Sequence, residues 1–277
     1  MIRKLHFRLN GEDKKIILIG SAHVSDHSIS EVKYVISHYQ PDAICLELDQ
    51  ERLETLISDS EHSSLTFKSK PIFEHIGINV IKEIGFKSFL FSILTRYSQN
   101  KIGKMFNLSP GSEMLTAYRE ALSRHIPVFL IDAPIHLTLS KLNQAITTKL
   151  ILTFIYHSIY AIIFPRKFLK NKLRIRAKTK SQLIMMLTHP NDALSKKVNL
   201  YLKKHFYEIY VVLVHNRNKV MANNIINIAQ HYNNILVVTG AAHLDGLTKM
   251  IKTYLKLKKR DKKNSTHHNY TSKYVNI

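Results

Sequence analysis

Cysteine occurs once in the 277 residues, at Cys45, so no intrachain disulfide framework can hold this chain together. A lone cysteine inside an apolar run suits a reducing compartment. The opening residues, Met1-Ile-Arg-Lys-Leu-His6, lack the apolar core of a secretory signal. The most apolar segment, 150–164, falls short of the roughly 20 apolar residues that a bilayer-spanning helix needs. There is no Gly-rich phosphate cradle, no cysteine pair for zinc and no Gly-x-Ser-x-Gly nucleophile elbow. Acidic residues are scarce as well: 20 against 41 lysines and arginines, a net charge of +21. Such a balance attracts anionic surfaces, whether lipid, nucleic acid or a polyanionic substrate. The excess is concentrated at 166–180 and 249–263, away from the best-patterned segments, and a merely solvated basic face is the preferred explanation over a specific polyanion partner. A hydrophobic content of 45% fits a globular chain and excludes wholesale disorder.

What is present is an α/β pattern. Ile16 to Ile19 is a continuous apolar run, as expected of a strand buried on both faces, and Gly20 ends it. Ser28 and Glu31 have capping-box spacing, and Ile29, Val32, Val35, Ile36 and Tyr39 share one helical face. After Pro41-Asp42, residues Ala43 to Leu48 make a second strand, so the segment reads as a βαβ unit. Before it, Asn10-Gly11 marks a hairpin turn. After it, Glu51 to Ile57 is helical and Ser58 to Ser69 a polar loop. Residues 71–106 are helical in pattern, and Pro110-Gly-Ser-Glu113 starts a helix that runs to about Arg124. Pro127 to Ile131 is a third buried strand, ending at Asp132. Residues 181–210 read as helices, Asn216 to Gln230 as a helix with Val220, Met221 and Ile225 inward, and Ile235 to Thr239 as the last strong strand. A closing helix spans Gly246 to Leu257, and 258–277 is a basic, mobile tail in which Tyr274-Val275 could add an edge strand. The expected fold is α/β: a central, largely parallel β-sheet with βαβ units flanked by helices, plus a helical insertion in the middle of the chain.

Two strand ends repeat one device. Ile-Leu-Ile-Gly-Ser-Ala-His23 and Val-Val-Thr-Gly-Ala-Ala-His243 each join an apolar strand, a glycine, two small residues and a histidine. Glu47 ends a strand between them. In a parallel sheet all three reach the carboxyl edge, where open α/β sheets bind ligands. Two imidazoles and a carboxylate are a recurring catalytic zinc set with one position open to water. Each histidine alone is more readily an ordinary turn residue than a ligand, since the chain has 16. Arg217, which could hold an oxyanion or pair with Glu47, is a weaker candidate, as are Arg52 and Glu113; a structural ion pair or a solvated charge is at least as good a reading of each arginine. His136 and His215 have no spacing that favours them.

Gly20-Ser-Ala-His23, Leu46-Glu47-Leu48-Asp49 with Arg52, Pro110-Gly-Ser-Glu113, Leu130-Ile-Asp132, Arg217, Met221-Ala222 and Gly240-Ala-Ala-His243-Leu-Asp-Gly246 occur in one order along the chain. This series resembles the TraB/PrgY family, related to the Tiki metalloproteases and the EreA/ChaN-like group. The resemblance implies one TraB-like α/β domain over 1–257, with helical insertions at about 71–106 and 145–210. It implies a divalent ion, zinc, manganese, cobalt or iron, held by His23, Glu47 and His243. Glu47 and Arg217 would then be catalytic, and Arg52 and Glu113 substrate-binding. The implied function is metal-dependent hydrolysis of peptides; the alternative is a non-catalytic, peptide-sequestering regulator of the pheromone-shutdown type. The sequence departs from the family pattern at Ala133, Pro134, Asn216 and Asn218, where three acidic positions and one basic position have become neutral. The expected partner is a peptide. Segment 150–164 serves the core or a homo-oligomer contact, with peripheral contact to an anionic membrane as the alternative, and nucleic acid ranks last. The expected compartment is the cytoplasm, with membrane association the alternative.

Overall fold

The structure is a computed structural model that describes residues 1–21, 26–62, 111–175 and 192–271. Ile2–Leu9 (β1) and Glu12–Ser21 (β2) form an antiparallel hairpin in which Ile2 faces Ile19. Asn10 and Gly11, with φ of 55° and 91°, make its turn. Two positive φ values in succession match the twist of the flanking strands, so Asn-Gly was a reliable signal.

Asp26–Tyr39 (α1), Ala43–Leu46 (β3) and Gln50–His62 (α2) follow. Ser112–Ser123 (α3) leads into Val128–Leu130 (β4), then Ile135–Ala145 (α4), Thr148–Ile163 (α5) and Pro165–Asn171 (α6). Asp192–His205 (α7) and Tyr207–Tyr210 (α8) precede a π-helical turn at Val211–His215, which runs on into Asn216–Ile228 (α9). Asn234–Gly240 (β5) and Ala241–Thr271 (α10) close the described chain. The sheet order is β1-β2-β5-β3-β4, and every pair except β1/β2 is parallel. The α/β expectation therefore holds: a mostly parallel sheet flanked by helices.

Alternation along the strands explains the layers. Ile17, Ile19, Ile44, Leu46, Leu236 and Val238 face Val32, Val35 and Ile36 of α1 and Met114 and Ala117 of α3. Ile16, Leu18, Cys45, Ile235 and Val237 point the other way, onto Met221 and Ile225 of α9 and Leu244, Leu247 and Ile251 of α10. Because both faces are covered, the central strands read as unbroken apolar runs. Burial pushes the Cys45 thiol pKa up, which keeps it an inert core group.

Several boundaries differ from expectation. α1 starts at Asp26, so Ser28 lies inside the helix and not at its cap. α2 runs to His62 where a loop was expected from Ser58; its polar sequence still suits an exposed helix. β4 is only half-buried, being the sheet's edge. Val220 faces outward, 39% exposed, and Ile226 takes the inward position instead. α10 begins five residues before Gly246 and continues past Leu257 to Thr271. No proline interrupts 241–271, and extending a formed helix adds one hydrogen bond per residue, so the basic tail prolongs it. Residues 63–69, the 71–106 insertion and Tyr274-Val275 lie outside the described residues.

Helices α4, α5, α7 and α8 build a smaller apolar cluster around Leu142, Ile146, Leu150, Phe206 and Ile209. Thr147 caps α5 by accepting from the Leu150 N–H at 3.2 Å. Among the described residues no helix is long and apolar enough to cross a membrane. At the edge of this cluster the buried His157 shares a 2.8 Å hydrogen bond between Nδ1 and the Tyr201 hydroxyl, and its ring lies 4.9 Å from that of His205. Burial lowers the His157 pKa, helped by repulsion from His205 and Lys172. Burial likewise lowers that of His205, with Lys172 and Lys204 adding to it. The folded state thus resists protons that the unfolded chain accepts, and a stability penalty accumulates as pH falls below the ordinary histidine pKa of about 6.5. Thermal melts between neutral and mildly acidic pH should show His157→Gln losing less stability than the parent chain. Parallel curves would show that this contact does not titrate.

Candidate functional site

The parallel register brings four strand ends to one edge. Leu46 pairs with Val238 and with Leu130, so Glu47 projects beside Thr239, and Asp132 follows two residues past the end of β4. The Glu47 N–H donates to the Val238 carbonyl at 3.0 Å, which carries the ladder one residue beyond β3. Ser21 pairs with Gly240 on the other side.

Glu47 is buried and held at both oxygens. The Thr239 hydroxyl and, at 2.7 Å, the Gly240 N–H donate to Oε2. Arg217 Nη2 donates to Oε1 at 2.6 Å, and His243 Nε2 stands 3.2 Å from the same oxygen. Asp132, also buried, bridges two guanidiniums: it accepts from Arg217 Nε at 3.0 Å, from Arg217 Nη2 and from Arg52 Nη2. Arg217 Nη1 donates to the Leu213 carbonyl, inside the π-helical turn that precedes it. Burial by itself would lower the Arg217 pKa, but Glu47 and Asp132 outweigh that and raise it above its ordinary value. Asp49 caps α2: its Oδ1 accepts from the Arg52 N–H at 2.8 Å, and its Oδ2 lies 3.4 Å from Arg52 Nε.

His243 occupies the first turn of α10, not a loop. Its Nδ1 lies 2.9 Å from Asn218 Oδ1 on α9. Gly246, one helical turn on, makes room for that amide, because a Cβ there would sit 2.4 Å from Asn218 Nδ2. Gly20 has a parallel use in β2, where a Cβ would meet Leu244 at 2.9 Å. Glu113, 1% exposed in the first turn of α3, accepts from the Ser21 hydroxyl at 3.1 Å.

Of the residues expected from sequence, Glu47, His243, Arg217 and Arg52 converge on one cluster. Glu113 sits at the end of β2, reached through Ser21. His23 lies outside the described residues. His136 is exposed, and His215 is half-buried with its pKa lowered by burial and then by Lys219 and Lys203. The sequence reading missed Asn218 and Thr239 as site residues, and it placed Asp132 at a strand end and in the family series without giving it a role. Asp132 could have been found by the argument that found Glu47, namely an acid closing a strand of a parallel sheet.

The arrangement can be tested for an ion. Among the described residues no group of three His, Cys, Asp or Glu is set to hold one. Two of the three expected donors do meet, and their chemistry suits a cation. A neutral imidazole carries one N–H. If Nδ1–H serves the Asn218 carbonyl oxygen, the Nε2 lone pair faces a carboxylate oxygen. Only a second proton or a cation between the two makes that contact favourable. A histidine with its Nδ1–H on a carbonyl oxygen and its Nε2 lone pair presented is also the usual form of a metal ligand.

Comparison with known proteins gives the family. The sequence pattern of the TraB/PrgY/gumN family matches residues 5–261. An uncharacterized protein of Methanocaldococcus jannaschii is 30% identical over 237 residues, covering 86% of this chain and 53% of that protein. TraB domain-containing proteins of Mus musculus and Homo sapiens are each 28% identical over 142 residues, half of this chain and 37% of theirs. The chain thus spans about half, or less, of the length of these curated relatives. With a match extending over nearly its whole length, the chain belongs to the TraB/PrgY/gumN family.

Proposed function

We propose that the chain is a metal-dependent hydrolase, peptidase-like, working at the carboxyl edge of its sheet. One observation carries the reading: the His243 imidazole has an acceptor facing each nitrogen, Asn218 Oδ1 on one side and Glu47 Oε1 on the other. His243 and Glu47 would hold a divalent ion together with His23, whose position is inferred from the repeated Gly-x-x-His motif. Such an ion, when bound, supplies Lewis acidity and lowers the pKa of its bound water. Imidazole and carboxylate donors suit zinc, manganese, cobalt or iron.

The remaining roles belong to the protein. Thr239 and the Gly240 N–H hold Oε2 of Glu47, while Oε1, which accepts from Arg217 Nη2, is the atom directed toward His243 and the one proposed to take a proton. Arg217 acts on the site through Glu47 and Asp132, both of which it touches, and so positions the carboxylate. Arg52 and Glu113 border the cluster and are the side chains proposed to meet the substrate.

Elemental analysis of the purified chain tests the reading. About one divalent ion per chain, removed by chelator together with peptide hydrolysis and restored on its return, is expected. A metal-free chain that still binds peptide would replace hydrolysis with the sequestering role, in which the same cleft holds peptide without cleaving it.

A further inference from the structure

Helix α5 is apolar on the side away from the protein as well as on the side that packs. Leu152, Tyr156, Ile159 and Ile163 are 63%, 60%, 51% and 60% exposed. Their spacing of four, three and four residues puts them in one stripe along the helix. Leu150 and His157, on the opposite side, are buried. Phe164, the exposed residue that ends α5, has the Lys167 ammonium 5.1 Å from its ring centroid. A continuous apolar stripe of this kind in water marks an interaction site.

Charge says what covers it. From Asp132 to Asp192 the sequence contains no acidic residue between those two, but ten lysines and arginines. Lys149 flanks the start of the stripe, and Lys167 and Lys170 on α6 flank its end; all three are exposed. A second copy would bring the same acid-free, basic segment against this one, and like charges would oppose the contact. Nucleic acid would engage the lysines and leave Leu152, Ile159 and Ile163 without apolar partners. An anionic lipid surface satisfies both features at once, taking the apolar stripe at the acyl boundary and the lysines at the headgroups. At 1.5 Å per residue the 16 residues of α5 extend about 24 Å, below the roughly 30 Å of a hydrocarbon core, so this helix lies along a bilayer and not across it.

We propose that the outer face of α5, with the basic α6 that follows it, docks the protein on an anionic lipid surface. The inference stands apart from the hydrolase reading, since it uses neither His243 nor Glu47.

Sedimentation of the full chain with phosphatidylcholine vesicles, with and without phosphatidylserine, at low and high salt, tests it. Binding is expected only with phosphatidylserine, falling as salt rises. Lys167→Glu with Lys170→Glu should weaken it at least about tenfold, and Tyr156→Asp with Ile159→Asp should abolish it. All four positions are exposed, and circular dichroism reports whether each variant keeps its helices. Four outcomes overturn the proposal: no binding to either vesicle, binding that ignores phosphatidylserine, binding undiminished in both variants, or a chain whose Ile159→Asp variant changes from dimer to monomer while the parent ignores vesicles. Retention on DNA that depends on Lys167 and Lys170 alone, without vesicle binding, would assign the basic surface to nucleic acid instead.

Discussion

Replacing Arg217 with leucine is expected to destabilise the protein by about 3–5 kcal/mol, the cost of removing one partner from a buried ionic cluster. Arg217 touches Glu47 at 2.6 Å and Asp132 through two nitrogens, and both carboxylates are almost withdrawn from solvent. Without the guanidinium Glu47 keeps Thr239, the Gly240 N–H and His243, and Asp132 keeps Arg52. Neither set supplies the permanent, doubly directed charge that lies between the two acids. A leucine fills part of the volume, so the loss is one of charge compensation more than of packing. Equilibrium urea unfolding measures it. Adding Glu47→Gln to the leucine variant should recover part of the loss, since the second change removes one of the stranded charges. A deficit under about 1 kcal/mol would place Arg217 among ordinary surface ion pairs, whose worth lies in that range. Arg217→Lys should fall in between, because a single ammonium cannot form the fork that joins two carboxylates.

The second large effect concerns the hold on His243. His243→Ala should abolish ion binding, since it removes the imidazole donor outright. Gly246→Ala should lower affinity for the proposed divalent ion about 10–100-fold while His243 and Glu47 stay in place, the usual penalty for losing the group that orients a ligating histidine. The reason is steric: the new methyl would lie 2.4 Å from Asn218 Nδ2, so the amide must move and its Oδ1 withdraws from His243 Nδ1. Asn218→Leu should reproduce the loss without the clash. Asn218→Asp should restore it, because a carboxylate accepts from Nδ1–H at least as well as an amide. Competition with a metal-sensitive dye provides the affinity, and circular dichroism shows whether α9 and α10 remain folded. Full affinity in both Gly246→Ala and Asn218→Leu would separate Asn218 from the site.

These two predictions differ in what made them accessible. Glu47 and His243 were legible because strand ends are legible: Ala43 to Leu48 and Ile235 to Thr239 are apolar runs, and a residue that closes such a run in a parallel sheet sits at its ligand-binding edge. The two-face burial of Ile16–Ile19, and the inward Val32, Val35 and Ile36, followed from periodicity alone. Asn218 was not legible as a partner of His243. It is separated from it by 25 residues, on a different element, and nothing in its neighbourhood distinguishes it from Asn216 or Asn223. Its substitution for an acid in the family pattern looked like a loss of chemistry; in the fold it is 1% exposed and set against the imidazole. Helix ends were misjudged where propensity and context part. Ser28 offered a cap that the helix passed by, and Gly246 suggested a helix start although it lies one turn inside α10, where its value is the space it leaves for Asn218.

What the amino-acid order determined by itself is the sheet and its edge: unbroken hydrophobic runs, the Asn10-Gly11 turn, and the placement of Glu47, Asp132 and His243 at the closing ends of strands or immediately after them. These are local consequences of side-chain size and backbone freedom, readable a few residues at a time. Tertiary structure decided which of those ends are neighbours. The order β1-β2-β5-β3-β4 sets β5 between β2 and β3, so Thr239 and Gly240 reach Glu47, and α9 is packed so that Arg217 spans two carboxylates from different strands. Buried charges must find partners to offset their lost hydration, and only the assembled fold brings those partners within hydrogen-bonding distance.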